Sequence, residues 1–185
     1  MVALTNEQYE TIIKTLRTGT SAFRANPRIA TVLTVEANLG IRLGDVLRLR
    51  LADIVKDGGR YRLNIREEKT GKRRTFSVPQ EMYSFLRSYA DEHDINDQDP
   101  LFPITNRAVQ KHLKVVCDYL GYENISTHSF RKWYATDIYN ASGHDIILVQ
   151  TLLQHSSPVT TRRYIGMSEE RIEKAIAGHV NIISA

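Results

Sequence analysis

Six residues of this 185-residue chain have the types and spacing to do chemistry together. In "LQHSSPVTTRRYIG" (153–166), His155 and Tyr164 stand nine residues apart, separated by a Ser-Ser-Pro break and by Arg162 and Arg163. In "THSFRKWYATDIY", His128 and Arg131 are three apart, the spacing that puts two side chains on one face of a helical turn. Arg42 lies just after Gly40 and ahead of Asp45, and Lys69 sits where the pattern turns at Thr70-Gly71. Guanidinium forks suit phosphoryl oxygens, imidazoles move protons, and a phenol becomes a nucleophile when a base or cations assist it. Taken singly, each residue also has an ordinary reading: Arg42 as a solvated partner of Asp45, Lys69 as decoration of a hairpin tip, Tyr164 as a half-buried aromatic near a helix end.

The elements that must position these residues are mainly helical. Thr5 and Gln8 make a capping-box start for a first helix. A second, about Arg28 to Asn38, should stop at Gly40, a natural left-handed cap. A third begins near Gly44–Asp45 and turns Val46, Leu47 and Leu49 inward. In "RYRLNIREEKTGKRRTFSVP", Tyr61, Leu63 and Ile65 alternate with polar residues, Thr70-Gly71 supplies a turn, and Phe76 and Val78 alternate back, which predicts a β-hairpin with one apolar face. Helices resume over about Gln80–His93, Asn106–Leu120, His128–Asn140 and Asp145–Gln154. Pro158–Tyr164 follows, with Ser157 as cap and Pro158 at its first position, and a last tail helix starts after Ser168 within residues 168–185. The expected class is mainly α with a small antiparallel β-sheet (α+β), in one domain.

Composition narrows the partner. The 42% hydrophobic and 25% charged content is that of a globular chain, and no apolar run is long enough to span a bilayer or to serve as a signal core, so a cytoplasmic protein without a membrane partner is expected. Net charge is +4 with a pI of about 9.2. From Arg42 to Thr75 eleven lysines and arginines face five acids, whereas "DEHDINDQDP" is acidic, so one face of the surface is fit for phosphates. The single cysteine, Cys117, forms no internal disulfide, has no metal-ligand spacing around it and is expected to be buried. His93, His112, His144 and His179 lack motif partners; Trp133 and Tyr134 are expected to pack behind His128 and Arg131.

Read in order, the blocks resemble the tyrosine recombinases, also called the phage integrase family. "GIRLGDVLRLRLADI" is similar to that family's first arginine block, "EEKTGKRRTFSVP" to its β-hairpin lysine block, "PLFP" to its mid-domain signature, and "THSFRKWYAT" and "LLQHSSPVTTRRYIG" to its C-terminal blocks. The match runs from about Leu4 to Met167. Five blocks in order are far more specific than any one of them. Two departures are visible: Gln154 where the family usually has glycine before the histidine, and Lys132 where a histidine or arginine is common after Arg131. Residues 1–185 resemble the catalytic domain of a DNA breaking-rejoining enzyme, with the family's N-terminal DNA-clamping domain absent.

The resemblance implies site-specific recombination of double-stranded DNA through a 3′-phosphotyrosyl intermediate, without metal, cofactor or small-molecule substrate. It assigns Tyr164 as nucleophile, Arg42 and Arg131 as the clamp on the non-bridging oxygens, and His128 as general base or proton relay. His155 donates a hydrogen bond to a non-bridging oxygen, Lys69 protonates the departing 5′ oxygen, and Asp45 orients the arginines without touching substrate. Lys72, Arg73, Arg74, Arg162 and Arg163 are expected on the DNA-facing surface. A monomer in isolation, a homotetramer on DNA, and a cytoplasmic, nucleoid-associated location follow from the same resemblance. A type IB topoisomerase shares the chemistry, and an idle DNA-binding module shares the fold; the H-x-x-R block and the complete set of six residues favour the recombinase.

Overall fold

Local sequence fixes where the helices begin and end. In this computed structural model, α1 (Asn6–Thr18) opens on a reciprocal cap: Thr5 Oγ1 accepts from the Gln8 N–H and Gln8 Oε1 accepts from the Thr5 N–H. The structure describes residues 3–155 and 158–165, with the backbone of Pro158, Arg163 and Tyr164. The tail helix expected within 168–185, the turn residues Ser156 and Ser157, and His179 lie outside the described residues. For α2 (Pro27–Leu39), Asn26 accepts from the Ile29 N–H, Pro27 sits at the first helical position, and Gly40 ends the helix at φ 57°. The short α3 (Leu43–Leu47) follows, then a 3-10 turn at Leu51–Asp53.

Strands β1 (Ile54–Asp57), β2 (Arg60–Arg66) and β3 (Arg73–Val78) form one antiparallel sheet in that order. The sequence pattern showed only the β2–β3 hairpin. The four residues of β1 are too few to display alternation, although the Gly58-Gly59 pair that follows, both at positive φ, is a two-residue hairpin turn. Register pairs Leu63 with Phe76 and Ile65 with Arg74. Then come α4 (Gln80–Glu92), α5 (Asn106–Leu120), α6 (Thr127–Ala141), α7 (Ile146–Leu153) and α8 (Pro158–Tyr164), each within two residues of expectation.

The chain divides into two compact units, residues 1–134 and 135–185. In the first, α2 is buried almost all round, and Leu33, Leu39, Ile41, Leu49, Leu63, Leu86, Phe102 and Phe130 are fully enclosed. Cutting one such leucine back to alanine costs about 2–5 kcal/mol, because the cavity does not fully collapse. Trp133 packs against the core as expected. It stacks on Tyr9 of α1, centroids 4.6 Å apart, and its indole N–H donates to Asn6 at 2.9 Å. In the second unit Asp145 caps α7 by accepting from the Ile147 and Leu148 N–H groups, and α7 packs on α8. Among the described residues no helix is long and apolar enough to cross a membrane.

Candidate active site

The first half of the site is built around the end of α2. Gly40 takes a left-handed conformation, and a side chain there would meet the Tyr134 ring at 2.3 Å, so glycine serves both the turn and the close approach. Its carbonyl accepts from Arg131 Nη1 on α6 and from Arg74 Nη2 on β3, the latter at 3.4 Å. Arg131 is 1% exposed, so α6 delivers this guanidinium into the protein and not onto its surface.

Arg42 stands one residue before α3, and its Nη1 donates to Glu67 Oε2 at 2.5 Å. The Glu67 carboxylate is fully buried. Its second oxygen accepts from Arg74 Nη1 at 3.2 Å, and Oε2 also accepts from the Thr70 hydroxyl at 2.7 Å. Burial pushes the Glu67 carboxyl up, but the Thr70 hydroxyl and the two guanidiniums outweigh it and hold the group below the ordinary range. Removing one partner from a buried pair of this kind costs about 3–5 kcal/mol, since the other charge is left uncompensated.

Two expectations are corrected here. Arg74 was placed on the DNA-facing surface, yet it is 2% exposed, with its guanidinium over the Phe76 ring and on Glu67. Asp45 was to orient the arginines of the site. Its Oδ1 instead accepts from Arg48 Nη2 at 3.0 Å and from the Glu68 N–H at 2.9 Å, so it anchors the hairpin tip between β2 and β3. Glu67, and not Asp45, is the carboxylate on Arg42. The strand period could have found it: Leu63, Ile65 and Glu67 point one way, as do Arg74, Phe76 and Val78, and the burial follows that alternation.

Lys69 lies exposed in the tip between β2 and β3, which the Glu67 N–H to Lys72 carbonyl and Gly71 N–H to Glu67 carbonyl bonds close. Lys72 and Arg73 are exposed, Arg73 donating to Asn64. Half-buried His128 opens α6. Desolvation lowers its pKa first, and the charges of Arg131, Arg42, Lys69 and Lys132 lower it further. Four of the six sequence-predicted residues, Arg42, Lys69, His128 and Arg131, therefore share one electrostatic neighbourhood. A histidine kept neutral among cations can accept a proton at neutral pH, and the cations suit an anion of the phosphate class. Beneath them Glu36 is fully enclosed, and neither carboxyl oxygen has a hydrogen-bond partner. Burial drives its pKa well above the carboxyl range; the Arg131 charge and the nearby Leu43 N–H oppose this without completing a hydrogen bond.

The other two residues belong to the second unit. Gln154 ends α7 at φ 51°, a left-handed position of the kind that glycine adopts without strain. His155 follows, its Nδ1 3.1 Å from the hydroxyl of buried Thr161 on α8. Tyr164 is three residues beyond Thr161 at the end of α8, and Arg162 is exposed on that helix. The Arg163 and Tyr164 side chains lie outside what is described.

His93 and His112 each place Nδ1 on the carbonyl four residues back, and His144 turns its ring edge to Tyr139. Cys117 is buried, which pushes its thiol up to about 11. Among the described residues no group of three or more His, Cys, Asp and Glu side chains could hold a metal ion.

Comparison with known proteins identifies the family and the fold. The sequence profile of the phage integrase family matches residues 3–171. The probable integrase/recombinase YoeC of Bacillus subtilis is 30% identical over 149 residues, covering 75% of this chain and 77% of YoeC. Helicobacter pylori tyrosine recombinase XerH is 24% identical over 93% of this chain, which spans 50% of XerH. Among solved structures, the catalytic domain of bacteriophage HP1 integrase superposes with a TM-score of 0.66 at 16% identity, covering 97% of this chain and 95% of that one.

Proposed function

The chain belongs to the phage integrase family, and from that premise we propose that it cuts and rejoins double-stranded DNA at specific sites through a 3′-phosphotyrosyl intermediate. The observation that carries the reading is the cluster of Arg42, Lys69, Arg131 and neutral-leaning His128 in one electrostatic neighbourhood. Each member has a task in breaking a phosphodiester. Arg42 and Arg131 are permanently charged forks that neutralise the non-bridging oxygens as charge grows in the transition state. His128 takes the phenolic proton of Tyr164 as its oxygen attacks phosphorus. Lys69, on the hairpin tip, delivers a proton to the departing 5′ oxygen. His155, steadied by Thr161, donates to a non-bridging oxygen. The reverse step uses the same groups, with the 5′-hydroxyl of another strand as nucleophile, so the bond energy stored in the phosphotyrosine drives rejoining.

Lys72, Arg73, Arg162 and Arg163 serve the DNA backbone, where lysine and arginine contacts set affinity and its salt dependence. The chain spans about half the length of XerH, and it corresponds in our reading to the catalytic domain of such an enzyme. Assembly as a tetramer on paired sites, from a monomer in isolation, and a cytoplasmic, nucleoid-associated location belong to the same proposal. The direct test is incubation with nicked suicide DNA in excess EDTA, followed by a denaturing gel. A protein–DNA adduct is expected; its absence with site-bearing DNA counts against the reading.

A further inference from the structure

We propose that Glu67 and Arg74 form a buried bridge that sets Arg42 and Arg131 relative to each other and ties both to the hairpin tip carrying Lys69. The inference rests on the recombinase reading above, and it assigns two positioning residues that touch no substrate.

The bridge is continuous. Arg42 Nη1 meets Glu67 Oε2 at 2.5 Å, Glu67 Oε1 meets Arg74 Nη1 at 3.2 Å, Arg74 Nη2 meets the Gly40 carbonyl at 3.4 Å, and that carbonyl also accepts from Arg131 Nη1. Thr70, the residue after Lys69, donates to the same Glu67 oxygen as Arg42, at 2.7 Å. Two guanidiniums meant for one phosphate repel each other before the phosphate arrives. An enclosed carboxylate on Arg42 and a shared carbonyl on Arg131 offset that repulsion and fix both forks in advance, which is what transition-state stabilisation by fixed donors requires. Stability does not explain the arrangement. Apolar residues of similar volume in place of a buried ion pair are often neutral or stabilising, so an acid and an arginine facing each other inside a small sheet point to orientation. The sequence agrees: Arg74 occupies an inward position of β3, and Glu67, one residue past β2, continues the inward phase of Leu63 and Ile65, where the alternation calls for apolar side chains.

The test compares Glu67→Gln with wild type in single-turnover cleavage of two suicide substrates, one with an ordinary scissile phosphodiester and one with a methylphosphonate there. The methylphosphonate lacks the charge that the arginines neutralise. On the phosphodiester the variant should lose about 10–100-fold in rate, as expected when an orienting partner is removed, with DNA affinity kept within about threefold. On at least one methylphosphonate diastereomer the deficit should shrink below about threefold, because a misplaced arginine no longer matters there. A variant that cleaves the phosphodiester like wild type, or whose deficit is equal on both substrates, overturns the bridge. Should Glu67→Gln fail to melt cooperatively, Glu67→Asp, which keeps the charge and withdraws it by one methylene, takes the same two-substrate comparison, and an equal deficit again overturns the proposal. Failure of the recombinase reading is visible separately, as a wild-type lane with no adduct on either DNA.

Discussion

The Nδ1 atom of His155 lies 3.1 Å from the hydroxyl of Thr161, a fully buried polar side chain one helical turn before Tyr164. A histidine that must donate to a phosphate from one ring nitrogen needs the other nitrogen held, and Thr161 holds it. Thr161→Val keeps the shape and removes the hydroxyl. Cleavage should fall about 10–100-fold, by analogy with loss of a partner that orients a ligating histidine, while the melting temperature moves little. Unchanged single-turnover rates in the valine variant would separate Thr161 from the function of His155.

Arg42→Lys and Arg131→Lys keep the charge and lose the planar fork. Each should lower single-turnover cleavage about 10²–10³-fold, the cost of removing one fixed donor to a developing oxyanion. Excess EDTA should leave the wild-type rate unchanged. Near-wild-type rates in either lysine variant, or loss of activity in EDTA, would contradict an arginine clamp that works without metal.

The helices were legible in the sequence because their signals are local, as with Thr5 and Gln8 at the start of α1 and Gly40 after Leu39. The strand β1 was not, since four residues carry no period and the pairing that makes it a strand is with β2. The six candidate residues were picked out by order and type. Their partners were not. Charge alone sent Arg74 to the surface and gave Arg42 to Asp45, while the inward phase of β2 and β3 buries Arg74 and puts Glu67 on Arg42. Where composition and strand phase disagreed, phase decided, because turning either strand by one residue would expose Leu63 and Val78.

Acidity should act through His128. Its folded pKa is lowered, by burial first and then by the surrounding cations, so it remains neutral below the ordinary histidine range. The acid limb of the cleavage profile should therefore fall below about pH 6.5, the unperturbed value, and should disappear in His128→Asn at a much lower rate. An acid limb above that pH, or one that persists in the variant, would remove His128 as the base.

Glu36 makes the opposite kind of prediction. Its folded pKa is raised, so the unfolded chain ionises first, and native stability falls as pH climbs from the unfolded value of about 4.3 toward the folded one. Glu36→Gln mimics the neutral acid. Its melting temperature relative to wild type should rise between pH 5 and 8 by about 2–4 °C for each kcal/mol of removed penalty. A difference that stays flat across that window would show Glu36 ionised and compensated.

Tyr164 as nucleophile is the centre of the account, and Tyr164→Phe tests it most directly because only the phenolic oxygen is lost. Wild-type protein on nicked suicide DNA should give a covalent adduct on a denaturing gel. The phenylalanine variant should give none while binding the same DNA within about twofold of wild type, since the removed hydroxyl serves the attack and not the clamp. An adduct that persists in Tyr164→Phe would contradict the account and move the nucleophile to another tyrosine.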